Sequence, residues 1–97
     1  MTGKDEIFEA DVEVTNPQGI HLRVAAILVR AAAKFPNADF VIKKDDYEVN
    51  GKSIMGVLTL VAEQGTQLTL KARGPQGNDL IQTMVELFEA GFDEELA

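Results

Sequence analysis

Phe8-Glu9-Ala10-Asp11-Val12-Glu13-Val14-Thr15 alternates apolar and polar residues without a break. It then runs into Asn16-Pro17-Gln18-Gly19, a cluster of chain-breaking residues. Strict alternation is the mark of a strand with one buried and one wet face. Beyond the breaker the period changes. From about His21 to Phe35 the pattern is helical, and Val24, Leu28, Ala31 and Phe35 fall on one face that is expected to be buried. Pro36 and Asn37 close the helix, because proline cannot continue its hydrogen-bond ladder.

The same reading extends outward. Asp39 to Lys44 and Tyr47 to Val49 form a hairpin around Asp45-Asp46. A short helix follows from Ser53, with Ile54, Val57, Leu58 and Val61 inward and Gly65 just past its end. Leu68, Leu70 and Ala72 alternate with Gln67, Thr69, Lys71 and Arg73 in a fourth strand. Gly74 to Gly77 is a loop, and Asn78 is the expected N-cap of a last helix. That helix runs to about Ala90, burying Leu80, Ile81, Met84, Val85 and Phe88, with Gly91 as its C-cap and an acidic tail from Asp93 to Ala97. The order is strand, helix, strand, strand, helix, strand, helix. Strands with one wet face belong to an antiparallel sheet covered on one side. The expected fold is therefore α+β, an open-faced sandwich of a four-stranded antiparallel sheet with three helices packed on one face. With 97 residues the chain is expected to form one domain, 1–97.

Composition narrows the function. The net charge of −7 argues against a nucleic-acid partner, because a phosphate backbone repels an acidic surface. The absence of cysteine removes disulfides and thiolate metal sites and fits a reducing cytoplasm. No apolar run approaches membrane-spanning length, so membrane insertion is not expected. All sixteen acids lie outside 16–38 and 49–62, where Arg23, Arg30, Lys34 and Lys52 supply the charge. Chance clustering and a local site for anions or acidic partners explain this equally well.

His21 is the sole histidine, and it stands where a strand turns into a helix, two residues before Arg23. A helix start offers backbone N–H groups and a positive dipole end to a phosphate, and an arginine adds charge-assisted hydrogen bonds. On these residues alone a surface or capping histidine is the plainer reading. Ser53 is likewise fully explained as an N-cap, although a helix start also tolerates a phosphorylated serine. Ile27 and Met55 are apolar residues set beside basic ones, as a docking surface requires, but single exposed apolar residues are ordinary. A phosphate-binding glycine loop, a second histidine and a nucleophile elbow are all missing, which disfavours an enzyme with its own turnover.

Resemblance decides among these readings. Asn16-Pro17-Gln18-Gly19-Ile20-His21-Leu22-Arg23 resembles the active-site signature of the HPr family, phosphocarriers of the bacterial sugar phosphotransferase system. Val49-Asn50-Gly51-Lys52-Ser53-Ile54-Met55-Gly56-Val57 resembles the regulatory serine segment of that family. The likeness runs from the first strand to Phe92. It implies that His21 carries the phosphoryl group, that Arg23 is its phosphate partner, and that Ser53 is the target of an HPr kinase/phosphorylase. It further implies a cytoplasmic monomer without cofactor or metal. Its partners would be enzyme I and the sugar-specific enzyme II components or regulatory proteins, met through Ile27, Lys52, Ile54 and Met55. Leu22 and Val24 depart from the small residues or proline usual in the family; Leu22 cannot cap a helix and Val24 cannot fix φ. A regulatory module acting through Ser53, with little flux through His21, is the alternative.

Overall fold

The structure, a computed structural model, describes residues 6–93. The elements are β1 (Ile7–Glu13), α1 (Leu22–Ala32), β2 (Asp39–Lys44), β3 (Tyr47–Asn50), α2 (Ile54–Leu58), β4 (Gln67–Arg73) and α3 (Gly77–Glu89), followed by a 3-10 turn at Gly91–Asp93. The strands form one sheet in the order β1-β4-β2-β3, and every neighbouring pair is antiparallel. Register follows from the alternation. Val12 pairs with Leu68 and Ile42 with Leu70, so the apolar sets of three strands meet on one face.

That face is the core. Val12, Phe40, Ile42, Val49, Leu68, Leu70 and Ala72 are buried beneath Val24, Ala25, Leu28 and Ala32 of α1, Val57 of α2, and Leu80, Ile81, Met84 and Phe88 of α3. The opposite face is polar: Thr69 Oγ1 donates to Asp11 Oδ1 at 2.9 Å, and Lys71 Nζ lies 3.5 Å from Glu48 Oε2. The open-faced sandwich expected from one-sided strands is the observed fold. No helix among the described residues is long and apolar enough to cross a membrane.

Several local expectations give way. Helix α1 stops at Ala32, and the amides of Lys34 and Phe35 reach back three residues, to Ala31 and Ala32, in a tighter turn before Pro36. Its buried stripe is accordingly Val24, Ala25, Leu28 and Ala32, while Ala31 and Phe35 are half-buried. Val85 of α3 is half-buried too.

The largest difference is at α2, which is five residues long and buries Val57. Ile54 and Val61 face outward, and Leu60 and Ala62 enter the core instead. The helical phase ends at Leu58, and Val61 adopts φ 49°, so counting onward at 3.6 residues per turn assigns the wrong side. Lys44 Nζ holds this turn by donating to the carbonyls of Leu60 and Val61, each at 3.1 Å. Gly65 lies well past the helix, in the turn that leads into β4, with φ 91°.

Helix α3 begins two residues earlier than expected, at Gly77. Gln76 is its N-cap position, in place of Asn78, and Gln76 Oε1 accepts from the Asn37 amide at 2.7 Å. Ala90 is its C-cap, and Gly91 follows at φ 60°. Most of the acidic tail, 94–97, lies outside the described residues.

Candidate functional site

The segment that delivers His21 is braced on several sides. The Val14 amide donates to Thr66 O at 2.9 Å, and the Gly65 amide donates to Val14 O at 2.8 Å. Thr15 Oγ1 donates to Phe88 O at 3.1 Å, which ties the segment to the end of α3, and Gln64 Nε2 donates to Thr15 O at 3.0 Å. The breaker cluster then closes on itself. The Gly19 amide donates to Asn16 O at 3.1 Å, and the buried Asn16 side chain donates from Nδ2 to Gly19 O at 2.6 Å.

Gly19 is required here. Its φ is 70°, and a Cβ would stand 2.4 Å from the Ala62 carbonyl oxygen. That close approach lets the Ile20 amide donate to Ala62 O at 2.8 Å, with Ile20 buried alongside. The turn is therefore fixed to the segment after α2 immediately before His21.

His21 is the N-cap of α1, in extended backbone (φ −95°, ψ −176°) and half-buried. Its carbonyl accepts from the Ala25 amide at 2.8 Å, starting the helix, but its side chain makes no capping hydrogen bond. The first turn holds no acidic residue. An α-helix gives its first N–H groups no acceptor of its own, so this end carries backbone donors and the positive end of the helix dipole. Arg23, exposed, is the second helical residue. The structure thus brings His21 and Arg23 together at one helix start.

The two departures from the family pattern have different fates. Leu22 is the first helical residue and not the cap position; its side chain is 64% exposed. Val24 lies in the first turn but is wholly buried, so it is a core contact.

Ser53 begins the second helix. Its hydroxyl accepts from the Gly56 amide at 3.1 Å, which makes it the N-cap read from the sequence. The approach is shaped by Asn50, whose Oδ1 accepts from the Lys52 amide at 2.8 Å, and by Gly51, where a Cβ would strike the Phe40 ring. Lys52 Nζ donates to the carbonyl of Phe35 at 2.7 Å and to that of Ala38, so its ammonium clamps the chain beyond α1. Met55 is 73% exposed, Ile54 is exposed, and Ile27 is half-buried on α1, which packs against α2. Sequence reasoning missed Leu22 and Val61 as exposed apolar residues. The turn that exposes Val61 carries no glycine or proline to announce it. Among the described residues, no group of three His, Cys, Asp or Glu side chains is placed to hold a metal ion.

The chain is similar to known proteins over most of its length. The family model described as "PTS HPr component phosphorylation site" matches residues 8–90. The phosphocarrier protein HPr of Xylella fastidiosa is 38% identical over 89 residues, covering 92% of this chain and 99% of the relative. A crystal structure of HPr-C-His from Thermoanaerobacter tengcongensis superposes with a TM-score of 0.87 at 39% identity, covering 92% of this chain and 99% of that one. A second structure from that organism, described as an HPr dimer, gives 0.72 at 38% identity and covers 86% and 94%. With a braced turn, a histidine at a helix start and matches over most of its length, this chain belongs to the HPr family of the phosphotransferase system.

Proposed function

We propose that the chain is a phosphocarrier: His21 accepts a phosphoryl group from enzyme I, which draws it from phosphoenolpyruvate, and passes it to enzyme II components or regulatory proteins. The observation that carries this reading is the start of α1, where a half-buried histidine stands at the N-cap position and Arg23 follows in the first turn. A lone pair on the imidazole attacks phosphorus as the donor's bond to phosphorus breaks. The negative oxygens then settle against the helix N–H groups and the Arg23 guanidinium. Phosphoryl transfer asks little covalent chemistry of a protein beyond position and charge, and the turn at Asn16–Gly19 supplies the position.

The chain acts as a one-domain cytoplasmic monomer with no cofactor. Ile54 and Met55, with Ile27 beside them, form the apolar part of its docking surface, and Lys52 holds the approach to Ser53 in place. Phosphorylation of Ser53 by an HPr kinase/phosphorylase regulates docking, because a dianion at α2 repels an acidic partner. In the second reading this switch is the main role, and the self-capped start of α2 favours it as a well-formed site.

Enzyme I with phosphoenolpyruvate is expected to add one acid-labile, base-stable phosphate, and His21→Ala to abolish it. Phosphate persisting on that variant defeats the carrier reading. Acid-stable phosphate from ATP and the kinase, lost in Ser53→Ala, with none gained from enzyme I, establishes the second.

A further inference from the structure

Near His21, two apolar residues of the same helix turn face opposite ways. Val24 is wholly buried, whereas Leu22 leaves 64% of its surface in water. Single exposed apolar residues are ordinary, but Leu22 is not single. Among the described residues six large apolar side chains are exposed, and Leu22, Ile54, Met55 and Val61 all fall in the two segments that hold no Asp or Glu. The packing of α1 on α2 and the bond from the Ile20 amide to Ala62 O set those segments side by side. Arg23, Arg30 and Lys34 are the exposed charges among them, on a chain of net charge −7. A cationic and apolar surface on an acidic protein is complementary to an acidic partner with an apolar recess.

We propose that Leu22 selects the phosphoryl-donor protein: its side chain enters an apolar recess beside the reacting group of an acidic partner. This rests on His21 being the carrier. Leu22 is adjacent in the chain to the reacting residue, so a partner without that recess is held off His21 itself, where a small displacement slows transfer most. Leu22 takes no part in the chemistry; it acts on docking and therefore on KM.

The test is steady-state phosphorylation by the enzyme I of the source organism with phosphoenolpyruvate. Leu22→Ala is expected to raise the KM for the carrier about tenfold with kcat unchanged, as loss of a buried apolar contact does. Leu22→Met, similar in size and apolar, is expected to restore most of the affinity, and Leu22→Asp to lose more than the alanine variant through repulsion. Thermal midpoints of all three are expected to stay near that of the parent, since the side chain is largely outside the core. An unchanged KM in Leu22→Ala, or a faster kcat, overturns the proposal while the carrier assignment stands. Sedimentation with phosphatidylglycerol vesicles that depends on Leu22 also overturns it, in favour of a lipid surface. A parent protein that gains no phosphate on His21 fails the carrier reading and this inference with it.

Discussion

Two helices in this protein start in opposite ways. At α2 the cap residue, Ser53, turns its hydroxyl back on the Gly56 amide and closes the end of its own helix. At α1 the cap residue, His21, holds the same extended backbone class but makes no capping bond, and no acid stands in the turn behind it. A helix start closed by its own side chain gains stability locally. A start whose cap side chain makes no such bond gives up that gain, and a helix N-terminus is a place where an anion binds well. The α1 start is compensated by its surroundings. Bonds from the segment after α2, from α3 and from within the turn hold the residues just before His21. The α2 start needs less, because its cap is its own support.

The strongest way to break this contrast is to remove the brace. Gly19→Ala forces a Cβ into the left-handed region and against the Ala62 carbonyl. The expected loss is about 3 kcal/mol, from a left-handed alanine plus overpacking against backbone. A chemical denaturation curve checks it. Phosphorylation of His21 is expected to slow at temperatures where the variant is still folded; an unaltered rate would mean the turn does not position the histidine.

Exchanging the cap chemistry sharpens it. Ser53→Ala is expected to cost about 1 kcal/mol, and His21→Ser to gain about 1 kcal/mol while abolishing phosphate on the carrier. Opposite signs at two N-caps of one protein, read from denaturation midpoints, are what an open and a closed start require. A loss in His21→Ser would show that the imidazole stabilises this end in some other way.

The smallest effect is expected at Leu22→Thr. Because the cap position is His21, a hydroxyl at the first helical residue has little to cap, and stability is expected to move by less than about 0.5 kcal/mol. A gain of about 1 kcal/mol would shift the helix start by one residue and make Leu22 the cap.

Much of this was legible in advance. The alternation in Phe8–Thr15 and Gln67–Arg73 specified both faces of the sheet, since a strand's period of 2 leaves little room for error. Ser53 as a cap was legible because capping is a local bond within four residues. Helix α3 was legible in kind and in phase, with Leu80, Ile81, Met84 and Phe88 buried as expected, whereas α1 was legible in kind and only partly in phase. The buried stripe of α1 includes Ala25 and Ala32, small residues whose burial depends on how closely the helix approaches its neighbours. At α2 the helix was too short for periodicity to mean anything after its first turn, and Val61 was assigned to the core although it is exposed.

By itself the sequence determined the order of elements, the polarity of each strand face, the Asn16–Gly19 turn and the presence of His21 and Arg23 at a helix start. All of these depend on contacts between near neighbours, and neighbours in the chain are given by the sequence. Tertiary structure alone decided that Val24 is core while Leu22 faces out, that the Lys52 ammonium goes to the carbonyls of Phe35 and Ala38, and that the turn before His21 hangs on Ala62. Those outcomes depend on which segment lies across from which, and that is set only when the helices close over the sheet.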